Sequence, residues 1–100
     1  MNITVLHVED CPSLAPLMEQ LAEMLVGRDD ITLKTRLVTS DSDAEQLGFH
    51  GSPTILIDGL DPFPSPGEPV GLSCRTYDTG YGTRGWPTHA QLATILQVTS

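Results

Sequence analysis

The first quarter of the chain constrains the fold more than any other segment. Residues 2–8 are almost wholly apolar, with Ile3, Val5 and His7 on one side of a strand and Thr4, Leu6 and Val8 on the other. A strand that is apolar on both sides has to be covered on both faces, which is typical of a central strand. The next segment repeats apolar residues at helical spacing: Leu14, Leu17, Met18, Leu21, Met24 and Leu25. It predicts a helix that ends at Gly27.

Three further segments predict strands. Residues 31–38 alternate apolar and polar side chains, which is typical of an edge strand with one wetter face. Residues 53–58 predict the third strand, with a proline at its first position. Residues 70–77 predict the fourth. The first two strands are joined by a helix and should be parallel, whereas the last two should form an antiparallel hairpin.

Two capping patterns predict the remaining helices. Ser42 with Glu45 opens a short helix that Gly48 closes. Thr88 with Gln91 opens a final helix. The buried side of that helix carries Leu92, Ile95 and Leu96. The sequence therefore predicts one α/β domain over residues 1–100, with a four-stranded mixed sheet in the order β-α-β-α-β-β-α and helices on both faces.

Composition narrows the class of partner. The chain has 100 residues and a formal net charge of −8, which repels phosphate backbones and anionic membranes. No run approaches the roughly 20 apolar residues of a membrane span, and no secretory signal opens the chain. We therefore expect a cytoplasmic protein without a nucleic-acid or membrane partner, and the oligomeric state stays open.

The first candidate for chemistry is Cys11, one of two cysteines. It falls between the first strand and the first helix, where reactive groups gather in open α/β sheets. The free N–H groups and the positive dipole end of the helix favour a thiolate there, whereas the neighbouring Glu9 and Asp10 oppose it. We expect the helix to prevail, because both carboxylates can turn to solvent.

The second candidate is the turn that opens the third strand, Gly51-Ser52-Pro53-Thr54. A proline at a strand entry can hold a cis peptide bond and leave the main-chain groups of the preceding residue unpaired. An extended substrate chain can pair with those groups.

Together these features resemble the thioredoxin-like family, over the whole chain in element order and over residues 8–12 and 51–59 in sequence. The resemblance implies that Cys11 is the attacking cysteine and Pro53 the cis-proline beside it. It also implies that the backbone of Ser52 holds a protein or small-molecule thiol or disulfide. Thr54, Pro12 and His50 are further candidate substrate-binding residues, and His50, three residues before Pro53, should lie on the rim of the site.

The sequence departs from that family at the resolving cysteine. Its redox enzymes carry Cys-x-x-Cys, whereas Cys11 is followed by Pro12, Ser13 and Leu14. A monothiol mechanism, a distant resolving cysteine and the absence of redox chemistry stay open. Cys74 is the candidate for a distant resolving cysteine, and its alternative is a buried apolar residue.

A narrower resemblance links residues 61–63 and 71–75 to small bacterial proteins grouped with organomercurial (alkylmercury) lyases. It implies that Cys11 and Cys74 could hold a soft metal. No zinc-type spacing and no cofactor motif is present. Three hypotheses remain: a thiol–disulfide oxidoreductase, a non-redox module that binds a peptide beside Pro53, and soft-metal or organomercurial handling.

Two irregular segments carry the remaining expectations. The glycine- and aromatic-rich residues 76–87 should lie at the Cys11 end of the sheet, as a lid or as a connection whose aromatic residues pack on the core. The loop that contains Asp61 and Phe63 should lie at the opposite end.

Overall fold

The computed structural model describes residues 1–63, 71–72, 75–79 and 82–96. The strands are β1 (Asn2–His7), β2 (Thr32–Leu37), β3 (Thr54–Ile57), β4 (Tyr77–Thr79) and β5 (Gly82–Arg84). The helices are α1 (Leu14–Met24), α2 (Asp41–Leu47) and α3 (His89–Leu96). None of these helices is both long enough and apolar enough to cross a membrane.

The main sheet is mixed and has the order β2-β1-β3. β1 pairs in parallel with β2, where Ile3 lies beside Leu33, and antiparallel with β3, where Ile3 lies beside Ile57. The predictions that β1 is central, that β2 is an edge strand and that the two are parallel are confirmed. The apolar character of β1 on both sides has its explanation in this central position.

The alternation along β1 divides the core into two clusters. One side is packed against α1 and α3 in a cluster of Ile3, Val5, Leu17, Leu21, Ile55, Leu92 and Leu96. The other side is packed against α2 in a smaller cluster of Leu6, Val38, Ala44 and Phe49. Helices therefore cover both faces of the sheet, with the larger apolar cluster on the α1 side.

The predicted four-stranded sheet is not confirmed. Within the described residues the main sheet has three strands, and Tyr77 begins β4, which pairs antiparallel with β5 in a separate two-stranded sheet. Part of the expected fourth strand, residues 70, 73 and 74, lies outside the described residues. The chain reverses directly after β3. The backbone groups of Ile57 that face away from β1 therefore exchange two hydrogen bonds with Leu60.

The two predicted helix caps have different outcomes. In α3 the capping box is confirmed: the Gln91 N–H donates to the Thr88 hydroxyl at 3.2 Å, and the Thr88 N–H donates to the Gln91 side chain at 2.9 Å. In α2 the prediction of Ser42 with Glu45 is wrong, because Ser40 is the N-cap and its hydroxyl accepts from the Asp43 N–H. The Gly48 C-cap of α2 is confirmed and is left-handed.

Candidate functional site

Cys11 lies in the short connection between β1 and α1. The chain turns at Asp10, which has a positive φ of 59°, a conformation that Asp tolerates better than most residues. α1 has Ser13 as its N-cap, so Cys11 lies two residues before the cap. Its carbonyl accepts from the Leu14 N–H at 3.3 Å. The thiol is free and half-buried, in the predicted position between strand and helix.

The Pro53 turn lies at the same end of the sheet. The Ser52–Pro53 peptide bond is cis, as the sequence suggested. The Val8 N–H, just beyond β1, donates to the Ser52 hydroxyl at 3.1 Å. The Thr54 hydroxyl donates to the Gly51 carbonyl at 2.7 Å and closes the turn on itself. The segment that leads to Cys11 is therefore hydrogen-bonded to the turn that begins β3.

The residues of the Pro53 turn that were expected to bind a substrate are instead in contact with other parts of this chain. Ser52, Pro53 and Thr54 are buried. The Ser52 carbonyl accepts from the backbone N–H of Arg75 at 2.9 Å, the bond that an added peptide would have made. Pro12 is exposed and His50 is half-buried. The open approach to this site is therefore at Cys11 and Pro12.

Arg75 is the most buried cation among the described residues, with its side chain 2% exposed. One guanidinium nitrogen donates to the Asp61 carboxylate at 2.7 Å and to the Thr54 hydroxyl at 3.3 Å. The other terminal nitrogen donates to the Phe63 carbonyl at 2.6 Å. The Nε–H has no acceptor within the part of the chain that the structure describes. Arg75 thereby joins the turn at Thr54 to the loop after β3.

Tyr77 connects Arg75 to the Pro53 turn. Its hydroxyl donates to the Pro53 carbonyl at 2.5 Å, and its ring lies 4.6 Å from the Arg75 guanidinium carbon and 5.2 Å from the Phe63 ring, edge to face. Burial raises the pKa of the Tyr77 hydroxyl, the positive charge of Arg75 opposes this, and the negative charges of Asp61 and Cys11 add to it. We call Asp61, Phe63, Arg75 and Tyr77 the Arg75 cluster.

Residues 85–87 lie along α1 and its N-cap. Gly85 lies so close to the Ser13 side chain that a Cβ on the glycine would overlap the Ser13 hydroxyl. Trp86 packs against the larger core cluster, and the Gln20 amide donates to the Pro87 carbonyl at 2.9 Å. This segment reaches the Cys11 end of the sheet, as predicted. Trp86 packs on the core, as in the second of the two alternatives predicted for this segment.

The sequence prediction was wrong about the loop that contains Asp61 and Phe63. Both residues contact Arg75, whose backbone is bonded to Ser52, so the loop returns to the Cys11 end. The missed signal is the dipeptide Asp58-Gly59: both residues have positive φ, 51° and 86°, as a two-residue hairpin turn requires. Such a turn sends the following residues back along β3 toward Pro53.

Cys74 lies outside the described residues, so its predicted role is not tested. Within the residues that the structure does describe, no group of three or more His, Cys, Asp or Glu side chains could hold a metal ion. No known protein family, curated protein or solved structure matches this chain. The interpretation of the site therefore rests on its own geometry.

Proposed function

We propose that this chain is a thioredoxin-like thiol protein that exchanges disulfides through Cys11. The observation that supports the proposal is the placement of a free, half-buried thiol between β1 and α1, at the sheet end where the Pro53 turn is hydrogen-bonded to Val8, the residue just after β1. Open α/β sheets carry their reactive groups at such strand-to-helix junctions. The partner is a protein or small-molecule disulfide.

The exchange needs one thiolate and one external disulfide. The Cys11 thiolate attacks one sulfur of the partner, forms a Cys11–partner disulfide and releases the other partner sulfur as a thiolate. A second thiolate, from Cys74 or from a small external thiol, then attacks the Cys11 sulfur and releases the reduced partner. The chain is left with a Cys11–Cys74 disulfide or a Cys11–small-thiol disulfide, and further thiol supplies the two electrons that regenerate it.

In this proposal the Arg75 cluster positions the turn beside the thiol. The Arg75 charge is compensated by the Asp61 carboxylate 2.7 Å away, so it is not a free cation for the thiolate. Tyr77 is protonated at neutral pH, as a phenol with the ordinary pKa of 10.0 would also be, and burial raises its pKa further. Its hydroxyl therefore donates to the Pro53 carbonyl. The cluster holds the backbone of the turn while Cys11 reacts.

The same geometry disfavours the peptide-binding alternative. A peptide that pairs with the backbone beside Pro53 needs the Ser52 carbonyl, which already accepts from Arg75. Ser52 is also only 2% exposed. A partner that reacts with the half-buried Cys11 beside the exposed Pro12 does not need that carbonyl, so thiol exchange is compatible with the occupied turn.

The test compares the single variants C11S and C74S with the wild-type protein. Each is incubated with a small aromatic disulfide and with an oxidised low-molecular-weight thiol, and the adducts are located by intact-mass and peptide mass spectrometry. We expect C11S to lose the exchange, and C74S to retain the first step. If Cys74 resolves the adduct, the mixed disulfide on Cys11 accumulates in C74S alone.

The rate of alkylation of Cys11 as a function of pH provides the second measurement, with S13A as a matched variant that changes a neighbouring residue and keeps the thiol. A Cys11 that alkylates more slowly than the same thiol in the urea-unfolded chain, and forms no mixed disulfide, contradicts the proposal. Exchange that survives in C11S contradicts it as well.

A further inference from the structure

A second candidate binding surface, apart from the Cys11 site, is the exposed edge strand β2. β2 lies at the end of the main sheet, and β1 separates it from the Pro53 turn. Thr32, Lys34, Thr35, Arg36 and Leu37 are exposed. Edge strands with free backbone groups can pair with another chain.

The backbone register defines which groups of β2 have no partner strand among the described residues. The N–H groups of Thr32 and Val38 donate to the carbonyls of Met1 and His7, so the even-numbered residues of β2 face β1. Backbone groups alternate in direction along a strand. The N–H and C=O groups of Leu33, Thr35 and Leu37 therefore point to the open edge.

Two cations lie on the α2 side of this edge. Neither Lys34 nor Arg36 has a carboxylate within ion-pairing distance among the described residues, whereas Arg28 and Arg75 each have one. Both side chains border a cleft of about 290 Å³ above Thr4, Leu6 and Leu56. In a chain of net charge −8, this strand edge thus carries two cations that form no ion pair within the described part of the chain.

The opposite side of β2 carries Leu33, Thr35 and Leu37 and is apolar apart from the threonine. Ile31 and Leu33 pack against the core cluster on the α1 side, and Leu37, which has the same parity, is 45% exposed. A strand added beside β2 would place alternate side chains next to the cations and the others next to the leucines. The edge thus offers backbone bonds, a cationic face and an apolar face.

We propose that β2 binds an extended segment of a partner protein that alternates acidic and apolar residues, as an added strand of the sheet. The acidic side chains lie on the α2 side beside Lys34 and Arg36, and the apolar ones lie on the α1 side beside Leu33 and Leu37. This site is separate from the thiol chemistry of Cys11.

A second copy of this chain fits the edge less well. If two β2 strands paired antiparallel about Thr35, Lys34 of each copy would lie opposite Arg36 of the other. Like charges directly opposite each other destabilise a strand pair. In this register the cations oppose self-pairing, whereas they attract the acidic side chains of a partner.

The probe is a capped synthetic peptide of alternating glutamate and valine, labelled for fluorescence anisotropy and titrated with the full chain at low and high salt. One matched control carries lysine in place of glutamate. The other has the same composition with the residues in adjacent pairs, so that it cannot separate its acidic and apolar sides. We expect saturable binding of the alternating acidic peptide, weaker binding of both controls and a loss of affinity at high salt.

Two variants test the cations and the backbone edge separately. K34E/R36E should weaken binding by about tenfold or more, because two attractions become repulsions. T35P removes an N–H that points to solvent, a position that a proline in an edge strand can occupy, and should weaken binding without unfolding the protein. Both variants should retain the disulfide exchange of Cys11.

Amide hydrogen exchange on the wild-type protein locates the added strand without any substitution. The peptide should protect the N–H groups of Leu33, Thr35 and Leu37 and leave those of Thr32, Lys34 and Arg36 unchanged. Equal binding of the lysine peptide, protection at the Pro53 turn instead of β2, no saturable binding, or dimerisation that K34E/R36E abolishes would each overturn the proposal.

Discussion

The chain contains two arginine–aspartate pairs that are alike in chemistry and differ in environment. Arg28 and Asp30 are two residues apart and form two hydrogen bonds of 3.0 Å, with side chains 27% and 65% exposed. Arg75 and Asp61 are 14 residues apart and form one hydrogen bond of 2.7 Å, with side chains 2% and 20% exposed.

The residues around an ion pair therefore determine how much the pair contributes to the stability of the fold. The Arg28–Asp30 pair contacts water, which screens it and makes it dispensable. The Arg75–Asp61 pair also binds Thr54 and the Phe63 carbonyl and packs on Tyr77, so its loss affects three segments at once. A buried cation that loses its carboxylate has no water to replace it.

The largest expected effect is on the buried pair. We expect Asp61→Ala to lower the free energy of unfolding by about 3 kcal/mol, because it leaves the Arg75 guanidinium buried without a counter-charge. Asp30→Ala is the matched surface substitution and should change the urea midpoint very little.

Two further variants separate the loss of the counter-charge from the loss of the hydrogen-bond acceptor. Asp61→Asn retains an oxygen acceptor and should lose less stability than Asp61→Ala. The double variant D61A/R75M removes both charges and should be more stable than the sum of the single effects of D61A and R75M. Equal urea midpoints for D61A and D30A would contradict the assigned difference between the pairs.

The next effect appears at alkaline pH. Burial raises the pKa of Tyr77 above its usual 10.0, so above about pH 10 the unfolded chain loses the phenol proton while the folded chain keeps it. The contribution of Tyr77 to stability is complete below pH 10 and is lost as the pH rises, by up to about 1.4 kcal/mol per pH unit. Urea unfolding at a series of pH values measures the slope. Tyr77→Phe should flatten it, and an unchanged slope in that variant would assign the proton to another group.

A smaller effect at neutral pH comes from the Tyr77 hydroxyl alone. Tyr77→Phe keeps the edge contact with the Phe63 ring and the contact with Arg75, but removes the hydrogen bond to the Pro53 carbonyl. We expect a loss of about 1 kcal/mol. Tyr77→Leu should lose more, since it also removes the aromatic contacts. If both variants were equally stable, the ring contacts would contribute nothing.

The periodic parts of the fold could be predicted from the sequence because each carries its own signal. The apolar β1, the alternating β2 and the Thr88–Gln91 cap are local patterns, and each lies where it was expected. The cap of α2 was misplaced by two residues, because residues 40–43 read Ser-Asp-Ser-Asp and offer two overlapping capping patterns.

The candidate site was predictable at Cys11 and Pro53 and not at the Arg75 cluster. Cys11 lies between a periodic strand and a periodic helix, and Pro53 directly precedes β3, so their positions follow from the elements beside them. Arg75 meets Asp61 only because the Asp58–Gly59 turn reverses the chain. Nothing in the local sequence of Arg75 indicates burial, since arginine is rarely buried unless it is paired and the pairing is a tertiary contact.

The smallest predicted effect is on the exposed Arg28–Asp30 pair. The hydrogen bond from Arg28 is the main cause that lowers the pKa of Asp30 below its usual value. The pair therefore stabilises the fold above the usual Asp pKa and loses that contribution as the pH falls through the lowered one. An NMR titration of the Asp30 carboxyl should show its pKa rise toward the usual value in Arg28→Gln and also at high salt, because salt screens an exposed pair. For the buried pair, the urea midpoint difference between Asp61→Asn and wild type should change little with salt. The charges of Arg75 and Asp61 are shielded from salt ions by the surrounding protein. If salt weakened both pairs equally, burial would not be the property that separates them.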